Sequence, residues 1–387
     1  MRYSLEGSRS PASAGRARCA ASLPAVTIAA FAMLCAWSLA AARVAPDAPE
    51  EGASSVSEDV RFSHEEGAPA FAATWVRPAG DGPFPAVLLL SPAGDHPRDE
   101  IRSGSRHNAD LARRLAESGI ASLRVDSRGV GDSKCDAWPE WDWSRTSDDL
   151  ATDVAGHLRY LASLDAVDRD RVGVVAHGDA CVPAMLHEAR VGGLAFTVLL
   201  SPPGISGRDN LVQGQLARLP AERREELGAL MRAGIDKIIE AADRDEAIAT
   251  LAKAFAAMGV PQEQATAGAS GFHDQLANAW TRHFLGYDPA DAFSEIESPL
   301  LALFTDTDER YPSGPNAERI RSTLREARAV HSEVRTLRGL DHFLSAQPPE
   351  GSDERPIVYA DPVVEAVIGF IEAAMDRSDE RHLRPGR

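Results

Sequence analysis

The chain has 387 residues, 44% apolar and 26% charged, with a formal net charge of −17. That is enough apolar sequence to bury a full core, as one large α/β domain with an insertion or as two domains. The acidic balance, with no Lys/Arg cluster beyond the N-terminus, argues against nucleic acid as a partner; with no CxxC and no zinc-type His/Cys spacing, no metal and no cofactor are expected.

Residues 1–42 read as a targeting segment. Arg2, Arg9, Arg16 and Arg18 make a basic start with Glu6 as its single acid, and the apolar stretch Leu23 to Ala42 precedes an acidic, helix-breaking run from Pro46 to Glu51. The small residues Ala40, Ala41 and Ala42 suit a signal peptidase, while the length of the stretch also suits a bilayer span. A cleaved signal peptide and an uncleaved N-terminal membrane anchor both stay open. Either one places the body outside the cytoplasm, periplasmic or extracellular, because the Arg excess holds the N-terminus inside. Leu34 before Cys35 argues against a lipoprotein signal. Two of the four cysteines lie in this leader. The remaining pair, Cys135 and Cys181, is free to form a disulfide in an oxidising compartment or to stay as two small buried thiols.

Residues 43–57, rich in Ala, Pro, Glu and Ser, read as a solvated linker. Alternation over Val60–Phe71 and Ala72–Val76 predicts an antiparallel pair. The apolar run Ala86–Leu90 predicts a strand covered on both faces. A helix fits Asn108–Ser118, with Leu111, Ala112 and Leu115 on one face and Gly119 as its stop, and Ile120–Val125 predicts the next strand. The loop DSRGVGDS (126–133) turns on Gly129 and Gly131; it lacks both G-x-G-x-x-G spacing and a Walker lysine, so it reads as a structural turn. Trp138, Trp141 and Trp143 read as aromatic packing under a loop, with a substrate-facing wall as the alternative. A capping box at Thr146–Asp149 opens a second helix whose buried face carries Leu150, Val154, Leu158 and Leu161.

The centre of the sequence is RVGVVAHGDACVPA (171–184). The apolar strand Val172–Ala176 runs into a small-x-x-x-small step, Ala176-His177-Gly178-Asp179-Ala180, and then into a helix from about Pro183 to Ala189. This is the setting of a nucleophile elbow, in which small flanking residues let the turn close and push the central side chain out over the sheet. The usual pattern is G-x-S-x-G. Here the centre is Gly178, so the turn is predicted without the hydroxyl that does the chemistry.

Another apolar strand, Phe196–Leu200, continues the strand–helix alternation and predicts a parallel sheet with right-handed crossovers. Residues 206–285 break the rhythm with Ala- and Glu-rich helical periodicity, including Leu227, Met231, Ile235, Leu251 and Phe255, and read as an inserted helical cap. The core therefore divides into 58–205 and 286–375. The second part holds strands at Leu300–Phe304 and Ser332–Leu337 and a last helix over Pro362–Met375; the tail 376–387 is expected to be disordered. An acyl-transfer site of this architecture orders its parts as nucleophile, acid, histidine. Asp308 follows the strand beyond the cap, and His342 follows the next one, in Gly339-Leu340-Asp341-His342-Phe343. Order and spacing make this pair the acid and base of the site.

At these residues the chain resembles the bacterial α/β-hydrolases described as esterases, serine-aminopeptidase-like or dienelactone-hydrolase-like proteins. The resemblance is carried by PAVLLLSPAGDHPRDE (85–100), LARRLAESGIASLRVDSRGVGDS (111–133), DRVGVVAHGDA (170–180), FLGYDPADAFSEIESPLLALFTDTD (284–308) and LRGLDHF (337–343), and with their register it covers residues 70 to 375. It implies an α/β-hydrolase fold, a mostly parallel sheet flanked by helices with a helical cap, and action on carboxylic esters or related acyl compounds. It carries Asp308 and His342 over as acid and base. It carries no nucleophile over, because the family reads G-H-S-x-G where this chain reads A-H-G-D-A. A second departure lies in the loop after the first parallel strand. That loop normally offers a backbone N–H to the oxyanion hole, and here it reads Pro92-Ala93-Gly94; proline has no N–H, which leaves Ala93. The other donor is the N–H of Asp179, whose carboxylate would stand close to a developing oxyanion.

Deleting the nucleophile of a serine hydrolase lowers turnover by roughly 10⁶-fold, so ordinary acyl-enzyme chemistry at position 178 is excluded. The expected function is an exported member of the carboxylic-ester-hydrolase family with a degenerate site, binding a small acyl ester or peptide-like ligand through Ala93, Gly94 and His177 with weak or no hydrolysis. The alternative is an active acyl hydrolase that uses Asp179 as an unusual nucleophile or a water activated by His342. Cys181 and Ser91 are further, weaker candidates for attack.

Overall fold

The computed structural model describes residues 55–345 and 358–382, apart from 102, 103, 218, 328 and 330. Eight strands form one sheet: β1 (Ser55–Phe62), β2 (Phe71–Pro78), β3 (Phe84–Leu90), β4 (Ala121–Val125), β5 (Val167–His177), β6 (Thr197–Leu200), β7 (Leu300–Thr305) and β8 (Glu333–Leu337). Their spatial order is β1-β2-β4-β3-β5-β6-β7-β8. β1 and β2 pair antiparallel, as do β2 and β4, and every later pair is parallel. The central strands read as unbroken apolar runs because both faces are covered, and alternate residues serve opposite faces. Val87 and Leu89, Val198 and Leu200, and Leu301 and Leu303 join one core with helices α1 (His107–Glu117) and α11 (Asp361–His382) through Leu111, Leu115, Val363, Val367 and Ile371. On the opposite side stand α2 (Ser147–Ser163) and α3 (Cys181–Val191), which pack on each other and on β5. The start of α2 is the predicted capping box, with the Thr146 side chain and the Asp149 backbone N–H paired and the Asp149 carboxylate returning to the Thr146 N–H at 2.7 Å.

Between β6 and β7 run five helices, α4 (Gly207–Leu216), α5 (Ala221–Ile239), α6 (Arg244–Ala257), α7 (Gln262–Leu276) and α8 (Ala279–Gly286), followed by the short α9 (Ala290–Glu295). Their apolar periodicity is spent on one another: Leu227, Met231, Ile235, Leu251 and Phe255 are all buried.

Several boundaries differ from expectation. β1 begins at Ser55, inside the expected linker, and β1 and β2 are separated by a turn over residues 63–70 where a continuous strand was expected; Gly67 takes φ +78° there. A helix not anticipated from sequence, α10 (Ser313–Glu326), fills the connection from β7 to β8. Two parallel neighbours need such a crossover, but Gly314 and Pro315 at its start and a charged outer face obscured its period. α11 continues to His382, so residues 376–382, expected to be disordered, are helical; positions 383–387 of the expected tail lie outside the described residues. Cys135 and Cys181 are not bonded to each other: Cys181 is buried as expected, but Cys135 is exposed. Among the described residues no helix is long and apolar enough to cross a membrane. The expected leader, 1–42, and linker positions 43–54 lie outside the described residues.

Candidate active site

The carboxyl ends of the parallel strands converge on one point, the end of β5. His177 is the last extended residue, Gly178 turns with φ +61°, and a single 3-10 turn over Gly178–Ala180 passes directly into α3. Ala176 and Ala180 are buried on either side of the turn, which is why both are small. A Cβ built on Gly178 would lie 3.6 Å from His342 Nε2 and 4.0 Å from Tyr311 Cε2. These are ordinary contacts, so the tip has room for a Cβ and aims it at the imidazole. The positive φ would strain any side chain placed there, by about 1–2 kcal/mol.

His342 is already oriented. Its Nδ1 donates to Asp308 Oδ2 at 2.9 Å, and Asp308 Oδ1 accepts the backbone N–H groups of Arg310 and Tyr311, each at 2.8 Å. Burial pushes the Asp308 carboxyl up, but the His342 charge, its hydrogen bond and the two backbone donors outweigh this and hold it below the ordinary carboxylate value. The two loops are stitched together. Asp306 accepts the Gly339 N–H at 2.8 Å, and the Thr307 hydroxyl donates to the Leu340 carbonyl. Nε2 of the imidazole is left facing the empty tip.

The oxyanion side is different. The Ala93 N–H does donate, but to Asp179 Oδ1 at 2.9 Å, and Asp179 Oδ2 meets the Arg310 guanidinium at 3.3 Å. Asp179 is 5% exposed, and burial, opposed by Arg310 and the Ala93 N–H, leaves its carboxyl above the ordinary value. A fixed carboxylate thus occupies the backbone donor that an oxyanion would use. The adjacent Gly94 takes φ +120° and packs against His96, whose ring is driven down to about 4 by burial and by Arg310.

No protein-family model matches the sequence, and no curated protein matches it. Solved structures do match. The α/β hydrolase GrgF from Penicillium sp. superposes with a TM-score of 0.51 at 16% identity, over 83% of this chain and 99% of that one. A protein described as a dipeptidyl aminopeptidase IV from Bacteroides ovatus gives 0.51 at 12% identity, over 84% of this chain; the chain spans 37% of the length of that protein. The chain has the α/β-hydrolase fold.

On an α/β-hydrolase sheet the acid and histidine are expected after β7 and β8, and Asp308 and His342 stand there in contact. The remaining sequence-expected residues scatter. His177, expected to line a ligand site, is 1% exposed and lies under His342: its Nε2 donates to the His342 backbone carbonyl at 3.0 Å, and its ring packs on those of His342 and Phe343. Burial, reinforced by His342, holds it neutral. It positions the histidine loop and touches no open space. Asp179 sits one residue past the tip with both oxygens engaged, not in a position to attack. Cys181 is the first residue of α3, its thiol pointing to the Ala176 carbonyl and raised far above its ordinary value by burial. Ser91 accepts a hydrogen bond from Asn108 at 3.0 Å.

Two site residues escaped the sequence reading, Arg310 and Tyr311. They follow the acid by two and three positions, in TDTDERY, so proximity to Asp308 was the signal available. A cavity of about 50 Å³ abuts Asp179, and Ser91, Ala93, Trp141 and Val154 also line it; neither Gly178 nor His342 does. Finally, an aromatic run links the surface to the site. Trp143, 47% exposed, meets Trp280 at 5.8 Å between ring centroids; Trp280 stacks on Phe284 at 5.3 Å; Phe284 meets Tyr311 at 6.4 Å, and Tyr311 meets His342 edge-on at 5.3 Å. Of the tryptophan cluster, Trp141 and Trp143 therefore lie at the cavity and at this run, while Trp138 packs on Phe71 and Arg128.

Proposed function

We propose that this α/β-hydrolase-fold chain descends from carboxylic-ester hydrolases, has lost serine catalysis, and binds a small acyl or peptide-like molecule with weak or no hydrolysis, in a body exported from the cytoplasm or tethered to the membrane by its N-terminus. One observation carries the reading: the turn tip that faces His342 Nε2, 3.6 Å from where a Cβ would stand, bears no side chain. An oriented base has no hydroxyl to deprotonate, a loss of roughly 10⁶ in turnover or about 8 kcal/mol of barrier. The Asp179 carboxylate adds a second obstacle. A substrate oxygen gaining negative charge would meet a carboxylate where it needs a donor.

The intact Asp308–His342 pair gives a second reading some support, in which the imidazole activates a water in the space above Gly178. That route still needs the Ala93 N–H that Asp179 holds. Attack by Asp179 itself is opposed by its bonds to Ala93 and Arg310.

Turnover of p-nitrophenyl acetate by the full chain, with and without substitutions, separates these readings. The parent is expected at the buffer rate, without labelling by a serine-directed fluorophosphonate. Gly178→Ser alone should gain little, because the oxyanion donor stays occupied. Strong parent turnover abolished by Asp179→Asn would defeat the proposal in favour of an aspartate nucleophile; strong turnover abolished by His342→Gln but not by Asp179→Asn would favour the activated water.

A further inference from the structure

The cavity beside Asp179 has walls that restrict what it takes. Three ionisable side chains line it, and none offers an unpaired charge. Asp153 has both oxygens held, by Arg128 Nε and Nη2 and by Arg145 Nη1. Asp179 accepts the Ala93 N–H and faces Arg310. His157 pairs through Nδ1 with His64 Nε2 at 3.1 Å, and burial drives its ring down to about 3, so it is neutral near pH 7. None of the three arginines lines the cavity. An anion would therefore meet two carboxylates and no guanidinium, and a cation would compete with arginines for carboxylates already paired.

Donors, by contrast, are in surplus. Ser91 Oγ accepts from Asn108 Nδ2 at 3.0 Å, which leaves its own proton for another acceptor. The Ser127 hydroxyl makes no hydrogen bond among the described residues, and the buried indole N–H of Trp141 has no partner there. Leu90, Leu150 and Val154 make the apolar part of the wall. The volume, about 50 Å³, lies between the roughly 10–15 Å³ that one water needs and the roughly 150 Å³ that holds benzene. We infer that this cavity seats the short acyl end of an uncharged amide or ester, about two or three carbons long, its carbonyl oxygen accepting from the Ser91 and Ser127 hydroxyls and its chain against Leu90, Leu150 and Val154. This rests on the reading of the chain as a binder of a small acyl molecule, and it names the class of that molecule and its place. Neither Gly178 nor His342 lines the seat, which fits binding without turnover.

Ligand-observed NMR titration of the full chain with acetamide, propionamide and hexanamide, and with acetate and ethylammonium as charged counterparts, tests this. Acetamide and propionamide should bind more tightly than the other three by about tenfold or more; apolar burial on an open surface would give hexanamide the advantage. Ser127→Ala should weaken propionamide about fivefold, the worth of one hydrogen bond. Val154→Phe should abolish its binding by filling the cavity, with the circular dichroism spectrum and thermal midpoint checked for both variants. Hexanamide, acetate or ethylammonium binding as tightly as propionamide, or unchanged affinity in either variant, would overturn the seat and leave the wider reading standing. Failure of every compound to bind would overturn both. Turnover of p-nitrophenyl acetate by the parent would instead overturn the claim of lost serine catalysis, with the amide series still deciding the seat.

Discussion

The two sides of Gly178 differ. On the β7–β8 side, acid and base keep short hydrogen bonds, two backbone donors on the carboxylate and two stitches between their loops. On the β3–β5 side, the turn tip carries no side chain, and the Ala93 N–H is satisfied internally by Asp179, which Arg310 braces. The first side has the geometry of an oriented base; the second lacks a hydroxyl at the tip and a free backbone donor beside it. The contrast teaches that the Asp308–His342 pair sits in loops with a structural part of their own: they bury His177 and Tyr311 and join the carboxyl ends of β7 and β8.

The largest effect should come from giving the β3–β5 side both a hydroxyl and a free donor. Gly178→Ser with Asp179→Ala frees the Ala93 N–H and should exceed Gly178→Ser alone by about 10²–10³-fold in p-nitrophenyl acetate turnover, the worth of one oxyanion donor; equal rates would mean that Asp179 does not block the hole. Next comes the tie between the sides. His177→Ala removes the bond to the His342 carbonyl and leaves a void among packed rings, and should lower unfolding free energy by about 2–4 kcal/mol, measured by urea denaturation.

The two carboxylates should also titrate with opposite signs. Asp308 is held below the ordinary value of 3.8, so its stabilisation is full above that value and is lost as pH falls through the lower folded one. Asp179 is raised above 3.8, so stability is greatest below that value and declines as pH climbs towards the folded one. Urea midpoints from about pH 2 to pH 7 should therefore lose their acid limb below 3.8 in Asp308→Asn and lose an opposing decline above 3.8 in Asp179→Asn, each slope bounded by about 1.4 kcal/mol per pH unit. A common change in both variants would erase the distinction. The smallest effect belongs to Thr307→Val, which removes one stitch between the acid and histidine loops and should cost about 1 kcal/mol in the same assay.

The sheet was legible because its strands are short apolar runs between helices of clear period, and the acid–histidine pair was legible because each follows such a run. Gly178 could be read as the tip because Ala176 and Ala180 flank it. What the sequence did not yield was direction. That Asp179 turns towards Ala93, and that His177 turns under the histidine loop, depends on burial and partners more than 80 residues away in the chain. α10 was hidden because Gly314, Pro315 and many charges mask a period that tertiary packing nevertheless enforces through Ile320 and Leu324. Arg310 and Tyr311 look like ordinary loop residues until the fold brings them over the elbow.

The string of rings from Trp143 to His342 gives the molecule a built-in optical gauge. Indole emission responds to nearby charge and to quenching neighbours, and here one indole is partly wetted while its partner stacks one ring away from the tyrosine beside the imidazole. A charge placed or removed at the turn should therefore register as a shift in native fluorescence, with no dye and no chromogenic reagent.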